Sequence, residues 1–268
     1  YDANGNLVYT ISGGTGSFGL AVANAGDITG DFVNDILITA PSFTTTIPGT
    51  TYIYDGSTGT YVNSIFGGPT AGYSVSSAGD ITGDGVPDIL IGSIYDTCQP
   101  FPPGGCAGAV RVYNGATLAL ITTLTTGAIN DAFGSNVANA GDYNGDSVND
   151  IVVGASGLGG PPGSNPFPLT PYVYVYSGAN FGVLAQIPGP QYYDWGFNVA
   201  AGDFNKDGFN DLIISSSLSG TLTSNINLFL GPNGINAYTW TQTTNLIRGF
   251  SIGDFNYDGF MDFAFGRP

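Results

Sequence analysis

Residues 133–154 read FGSNVANAGDYNGDSVNDIVVG, and this stretch decides the fold. It holds an aromatic–Gly opening, a step of small residues, a nine-residue loop with Asp at positions 1, 5 and 9, and an apolar strand. The same order recurs along the whole chain. The loops are DITGDFVND from Asp27, DITGDGVPD from Asp80, DYNGDSVND from Asp142, DFNKDGFND from Asp203 and DFNYDGFMD from Asp254. Their first residues stand 53, 62, 61 and 51 residues apart. A period of that length with four short strands per unit is the signature of a propeller blade.

Within a unit, strand A carries the aromatic–Gly start (Phe18-Gly19, Gly72-Tyr73, Phe133-Gly134, Trp195-Gly196, a weaker Gly249-Phe250) and small residues suited to a crowded inner wall. Strand B is apolar (DILIT, DILIG, DIVVG, DLIIS, DFAFG), strand C alternates (TYIYD, VRVYN, VYVYS, INLFL), and strand D follows a turn such as Asp55-Gly56 or Asn114-Gly115. Glu is absent and Lys, Arg and Met number five together, so the strong helix formers are scarce while β-branched and aromatic residues abound. The expectation is an all-β chain: one β-propeller domain over 1–268 built of four-stranded antiparallel blades. Its repeats fall near 17–67, 68–127, 128–189, 190–242 and 243–268, the last together with 1–16. Tyr1-Asp2 aligns with Tyr54-Asp55, which predicts a strand D over Asn6–Ser12. Three arrangements fit these ends: a piece of a longer array, a five-bladed ring with one defective blade, or a strand supplied by another chain.

The loop positions carry only oxygen ligands, the set a hard cation needs, and calcium takes six to eight oxygens. The expected ligands are Asp27, Thr29, Asp31, the carbonyl of Val33 and Asp35 in the first loop, and Asp80, Thr82, Asp84, Val86 and Asp88 in the second. The third offers Asp142, Asn144, Asp146, Val148 and Asp150, and the fourth Asp203, Asn205, Asp207, Phe209 and Asp211. The fifth offers Asp254, Asn256, Asp258, Phe260 and Asp262. The competing reading is a set of Asx turns, since Asp, Asn and Gly favour turns anyway. Five in-register copies favour up to five calcium ions, each a structural staple. Position 6 is Gly in three loops, but Phe32 and Ser147 hold it in the other two, and both are strained if that position needs positive φ.

The net charge of −16 belongs mainly to these loops, which hold 15 of the 20 acidic residues, all Asp. Three Arg, one Lys and no His cannot build a basic groove, so nucleic acid is excluded as a partner. No apolar run is long enough to span a bilayer. Cys98 and Cys106 bracket a Pro/Gly-rich loop, which fits a disulfide in an oxidising compartment; two free thiols are the alternative.

The phenylalanine–glycine, alanine–glycine–aspartate and loop elements together resemble the FG-GAP repeat of integrin α-chain propellers and related bacterial secreted proteins. The resemblance covers essentially the whole chain. It implies calcium in the A–B loops on one face and a binding surface on the opposite face, made by the B–C and D–A connections. Aromatics in the variable loops, Tyr95, Phe101, Phe167, Tyr192 and Tyr193, are the candidate contacts there. The expected function is a secreted or cell-surface adhesion or ligand-binding module, its partner an extracellular protein or glycan. The alternative is a surface-layer or filament subunit that binds copies of itself by strand complementation. Catalysis is not expected. The chain has no His and no Glu, Lys206 lies inside a loop, and Asp131 and Asp194 occupy equivalent turn positions ahead of strand A.

Overall fold

The computed structural model describes residues 5–13, 16–43, 47–68, 70–96, 106–157, 170–190, 194–217, 223–243 and 249–266. Its eighteen described strands form antiparallel sheets in simple chain order. The first sheet is β1 (Val22–Gly26), β2 (Asp35–Ala40), β3 (Thr50–Tyr54) and β4 (Tyr61–Phe66). The second is β5 (Ser74–Gly79), β6 (Asp88–Ser93), β7 (Ala109–Tyr113) and β8 (Leu120–Leu124). The third is β9 (Phe133–Gly141), β10 (Asp150–Ala155), β11 (Tyr172–Tyr176) and β12 (Val183–Pro188), and the fourth β13 (Val199–Gly202), β14 (Asp211–Ser217), β15 (Ser224–Leu230) and β16 (Ile235–Gln242). A fifth holds β17 (Gly249–Gly253) and β18 (Asp262–Gly266). These sheets are the A-B-C-D units read from the repeat.

The core lies between blades, not within them. One cluster joins Leu37 and Ile53 of the first sheet to Ile89 and Ile91 of the second. Another joins Leu90, Val110 and Val112 to Phe133, Ile151 and Val153 of the third, and a further one joins Val152 and Val173 to Leu212 and Ile214 of the fourth. Ile213 and Ile226 meet Ile252 and Phe263 of the last pair. Alternate residues of a B strand therefore face opposite neighbours. That is why DIVVG reads as an unbroken apolar run where a half-exposed strand would alternate.

Small residues end the A strands because the next blade presses against them. A Cβ on Gly141, whose φ is +59°, would lie 1.6 Å from the Asn210 amide nitrogen, which donates to the Ala140 carbonyl at 2.9 Å. Gly26 meets the Pro87 ring and Gly79 the Asn149 amide in the same way. The Ala–Gly–Asp step is thus a socket for position 8 of the following loop.

Two expectations need correction. The aromatic–Gly pairs lie in turns ahead of β1, β5 and β13, not inside the strands. Gly19, Gly72 and Gly196 have φ of +84°, +90° and +75°, and Leu20, Tyr73 and Phe197 close turns there by donating to Ser17, Thr70 and Asp194 carbonyls. β9 absorbs its pair, with an irregular register at its start, and β17 begins with the weaker Gly249-Phe250. Residues 5–13 form no ladder where a strand D was expected. Tyr9 instead anchors this stretch, its hydroxyl donating to the Gly56 carbonyl at 2.9 Å.

Candidate functional site

The five A–B loops share one backbone. Positions 4 and 6 have positive φ in every copy: Gly30 and Phe32, Gly83 and Gly85, Gly145 and Ser147, Lys206 and Gly208, Tyr257 and Gly259. The left-handed requirement at position 6 is thereby met by Phe32 at +67° and Ser147 at +69°. Position 4 imposes the same demand on Lys206 and Tyr257, which the spacing of the carboxylates gave no reason to suspect.

This curl wraps each loop around its first carboxylate. Asp142 accepts N–H groups from Gly145, Asp146 and Ser147 at 2.7, 2.9 and 2.8 Å. Asp27 and Asp80 do the same with positions 4, 5 and 6 of their loops. Asp203 and Asp254 accept from positions 5 and 6. The fifth-position carboxylates Asp31, Asp84, Asp146, Asp207 and Asp258 each accept from the N–H of position 7. At position 3, Asn144, Asn205 and Asn256 donate their amides to the neighbouring fifth-position carboxylate, whereas Thr29 and Thr82 turn toward position 9.

Position 9 is sealed inside the first four blades. Asp35, Asp88, Asp150 and Asp211 are buried, while their partners at positions 1 and 5 lie at the surface. Asp150 accepts from Tyr143 and Asn144 of its own loop at 2.9 and 3.2 Å, and from Gly178 of the C–D turn at 3.1 Å. Gly56, Gly115 and Gly231 donate equivalently to Asp35, Asp88 and Asp211. Glycine is required in that turn because its Cα nearly touches position 8 of the loop; a Cβ on Gly178 would lie 1.9 Å from the Asn149 carbonyl oxygen. Burial raises the carboxyls of Asp88, Asp150 and Asp211 above the ordinary value, opposed by these N–H donors. The exposed Asp84 is held below it, chiefly by the Asn114 amide.

Among the described residues no three Asp or Cys side chains stand together as a metal cluster. The donor set nevertheless fits a hard cation in kind. It is all oxygen, and a carboxylate offers about four acceptor positions, of which the N–H groups use at most three on Asp27 or Asp150. Neighbouring loops touch: the Phe209 ring would collide with a Cβ on Gly145, and Lys206 Nζ lies 3.5 Å from the Phe260 ring centroid.

Of the aromatics expected on the opposite face, Tyr95 is half-buried with its N–H on the Thr70 hydroxyl at 3.1 Å. It neighbours Tyr73, whose phenol is raised by burial and then by the charge of Asp194. Phe101, Phe167, Tyr192, Tyr193 and Cys98 lie outside the described residues, and Cys106 is buried and not a free thiol. Among acids outside the loops, Asp55 caps its own turn on Ser57 and Thr58, and Asp96 pairs with Arg111 through two hydrogen bonds. Asp131 accepts from the Thr126 hydroxyl and the Phe133 N–H. All three are occupied in holding structure.

Residues 71–113 and 195–227 match the FG-GAP repeat family, the first stretch spanning strands A, B and C with the Asp loop of its blade and the second running from the turn before strand A into strand C. Human integrin alpha-7 is 36% identical over 118 residues, 43% of this chain and 9% of that protein. Among solved structures, the exotype rhamnogalacturonan lyase YesX superposes with a TM-score of 0.51 at 12% identity, covering 87% of this chain and 46% of that one. The Dos1 propeller gives 0.45 at 9% identity, covering 81% and 46%. The chain spans less than half the length of these proteins. It carries FG-GAP repeats on a β-propeller fold and resembles the integrin α-chain N-terminal domains.

Proposed function

We propose that this FG-GAP chain is a calcium-stabilised, non-enzymatic ligand-binding or adhesion module that works outside the cell. The observation that carries the calcium is the five-fold recurrence of one loop backbone curled about an oxygen-only donor set. The side chains at positions 1, 3 and 5, with the carbonyl at position 7, would hold the ion, and the buried carboxylate at position 9 would close the shell from below. When bound, calcium would offset two of the three negative charges of a loop, whose mutual repulsion otherwise opposes that curl. A disulfide between Cys98 and Cys106 belongs to the same extracellular reading.

Integrin likeness supports the binding role, and the variable connections opposite the loops are its surface. Extracellular calcium modules bind at about 10⁻⁴–10⁻³ M, and each site at one hundred times its Kd stabilises by about 2.7 kcal/mol. Melting in 10 mM calcium and in excess EDTA is therefore expected to differ by many degrees, with calorimetric titration giving up to five sites. Equal melting temperatures and no heat of binding would reject the metal role.

A second reading is assembly of copies by strand addition at a sheet edge. Light scattering in calcium separates the two: a monodisperse monomer speaks for the binding module, ordered assemblies for the subunit.

A further inference from the structure

The inner ends of the first four blades line an open cavity of about 450 Å³ on the face opposite the Asp loops. One repeat position contributes to its wall from all four blades. Ala21, Ser74, Asn136 and Asn198 each stand two residues after the strand-A glycine of their blade, and all four line it. One residue earlier, the second and fourth blades contribute the rings of Tyr73 and Phe197. The size lies within the range of about 300–1,000 Å³ typical of small-ligand sites.

No lining side chain carries a charge. An ionic ligand would lose its hydration there without gaining a counter-charge. A wholly apolar ligand would strand polar groups. Among the described residues the Asn136 amide makes no side-chain hydrogen bond, and the Asn198 amide nitrogen donates to the Ser215 hydroxyl at 3.0 Å while its side-chain oxygen stays available. The Ser74 hydroxyl donates to the Gly134 carbonyl at 2.9 Å and keeps its lone pairs for a donor in the cavity. The wall therefore supplies an amide donor, several acceptors and two aromatic faces, all neutral. That combination matches a ring with hydroxyls around its edge and C–H groups on its faces.

We propose that this axial cavity is a binding site for a neutral sugar residue of a glycan, with Asn136 as its principal hydrogen-bonding anchor. The proposal rests on the reading that the face opposite the loops receives the ligand, and it assigns that ligand's class and seat. Isotope-labelled protein in calcium is titrated with D-galactose, D-glucose, L-rhamnose and their neutral disaccharides, and backbone amide shifts are followed. At least one sugar is expected to shift the amides around residues 20–22, 73–75, 135–137 and 197–198, and to leave the Asp loops unmoved. Asn136→Leu should weaken that sugar at least tenfold. Asn136→Asp, nearly equal in volume to the native residue, should do the same by placing a charge in the cavity, and melting curves confirm that each variant is folded. A full panel without shifts at those amides, or binding that survives both folded variants, would overturn the proposal. Attachment of cells or matrix to the immobilised protein, unaffected by the same variants, would show that the module reading stands without it.

Discussion

Asp150 and Asp146 are both loop carboxylates, four residues apart, yet their surroundings give them different work. Asp150 is buried under three N–H donors; that of Tyr143 also reaches the Gly141 carbonyl at 3.1 Å, so Asp150→Ala strands those of Asn144 and Gly178. Each stranded donor costs about 1–3 kcal/mol, and the loss is expected to exceed about 2 kcal/mol even in EDTA. Asp146 is exposed, and water replaces it as acceptor; Asp146→Ala should cost less than about 1 kcal/mol in EDTA while removing one ion from the calorimetric stoichiometry. Denaturant titration with and without chelator checks both. Phe32 supplies a test of the opposite sign. It is 97% exposed and held at φ +67°, a conformation costing an L-residue about 1–2 kcal/mol, against about 0.5–1 kcal/mol for the extra freedom of glycine when unfolded. Phe32→Gly is thus expected to raise stability by up to about 1 kcal/mol. The strain at Phe32 was legible in the sequence because three other loops place glycine there. The sealing of position 9 was not, because carboxylates at positions 1, 5 and 9 look alike until the C–D turn folds over one of them.

At the scale of the element, the A–B loop is joined to its own blade by the C–D glycine and to the preceding blade by position 8. Gly141→Ala and Gly83→Ala separate the two kinds of demand on glycine. Both sit at positive φ, but a Cβ on Gly83 meets nothing within 4 Å, whereas one on Gly141 lands on the Asn210 amide. Gly83→Ala should cost about 1 kcal/mol from the backbone alone. Gly141→Ala should cost about 2–4 kcal/mol, since Asn210 must also leave the Ala140 carbonyl. Thermal melts of the pair in calcium decide it. The strands B, C and D were legible because alternation and turn residues mark them. The start of strand A was not: an aromatic–Gly pair suits a strand by propensity, and the turns closed by the Leu20, Tyr73 and Phe197 N–H groups take it out of the ladder in three blades. Residues 6–12 occupy the place of a strand D when Tyr1-Asp2 is aligned with Tyr54-Asp55, but pairing needs a neighbouring edge, and the stretch is instead pinned by Tyr9. The inward wall of the axial cavity was legible only as small residues; that Asn136 and Asn198 share one rim with Ser74 required the blades to be set side by side.

For the whole molecule, acidity and architecture are one matter. The blades bring their Asp loops to one end, where neighbours touch, and the loops supply 15 of the 20 carboxylates of a chain with net charge −16. Without a divalent ion, that end repels itself through water, and such repulsion is screened over about 10 Å at 0.1 M salt. Raising sodium chloride from 20 to 500 mM in EDTA is therefore expected to raise the melting temperature, and the same step in 10 mM calcium to change it far less. A melt lowered by salt in EDTA would contradict the electrostatic account.

The hydrophobic clusters shared between adjacent sheets have a further consequence. Each blade presents one surface backwards and a different, complementary surface forwards, so the unit tiles head to tail. A duplicated stretch of 51–62 residues arrives with both its mating surfaces already made, and its excision leaves two flanking copies that still match. Blade number is then a matter of how many times the stretch is copied, while the chemistry of each joint stays the same.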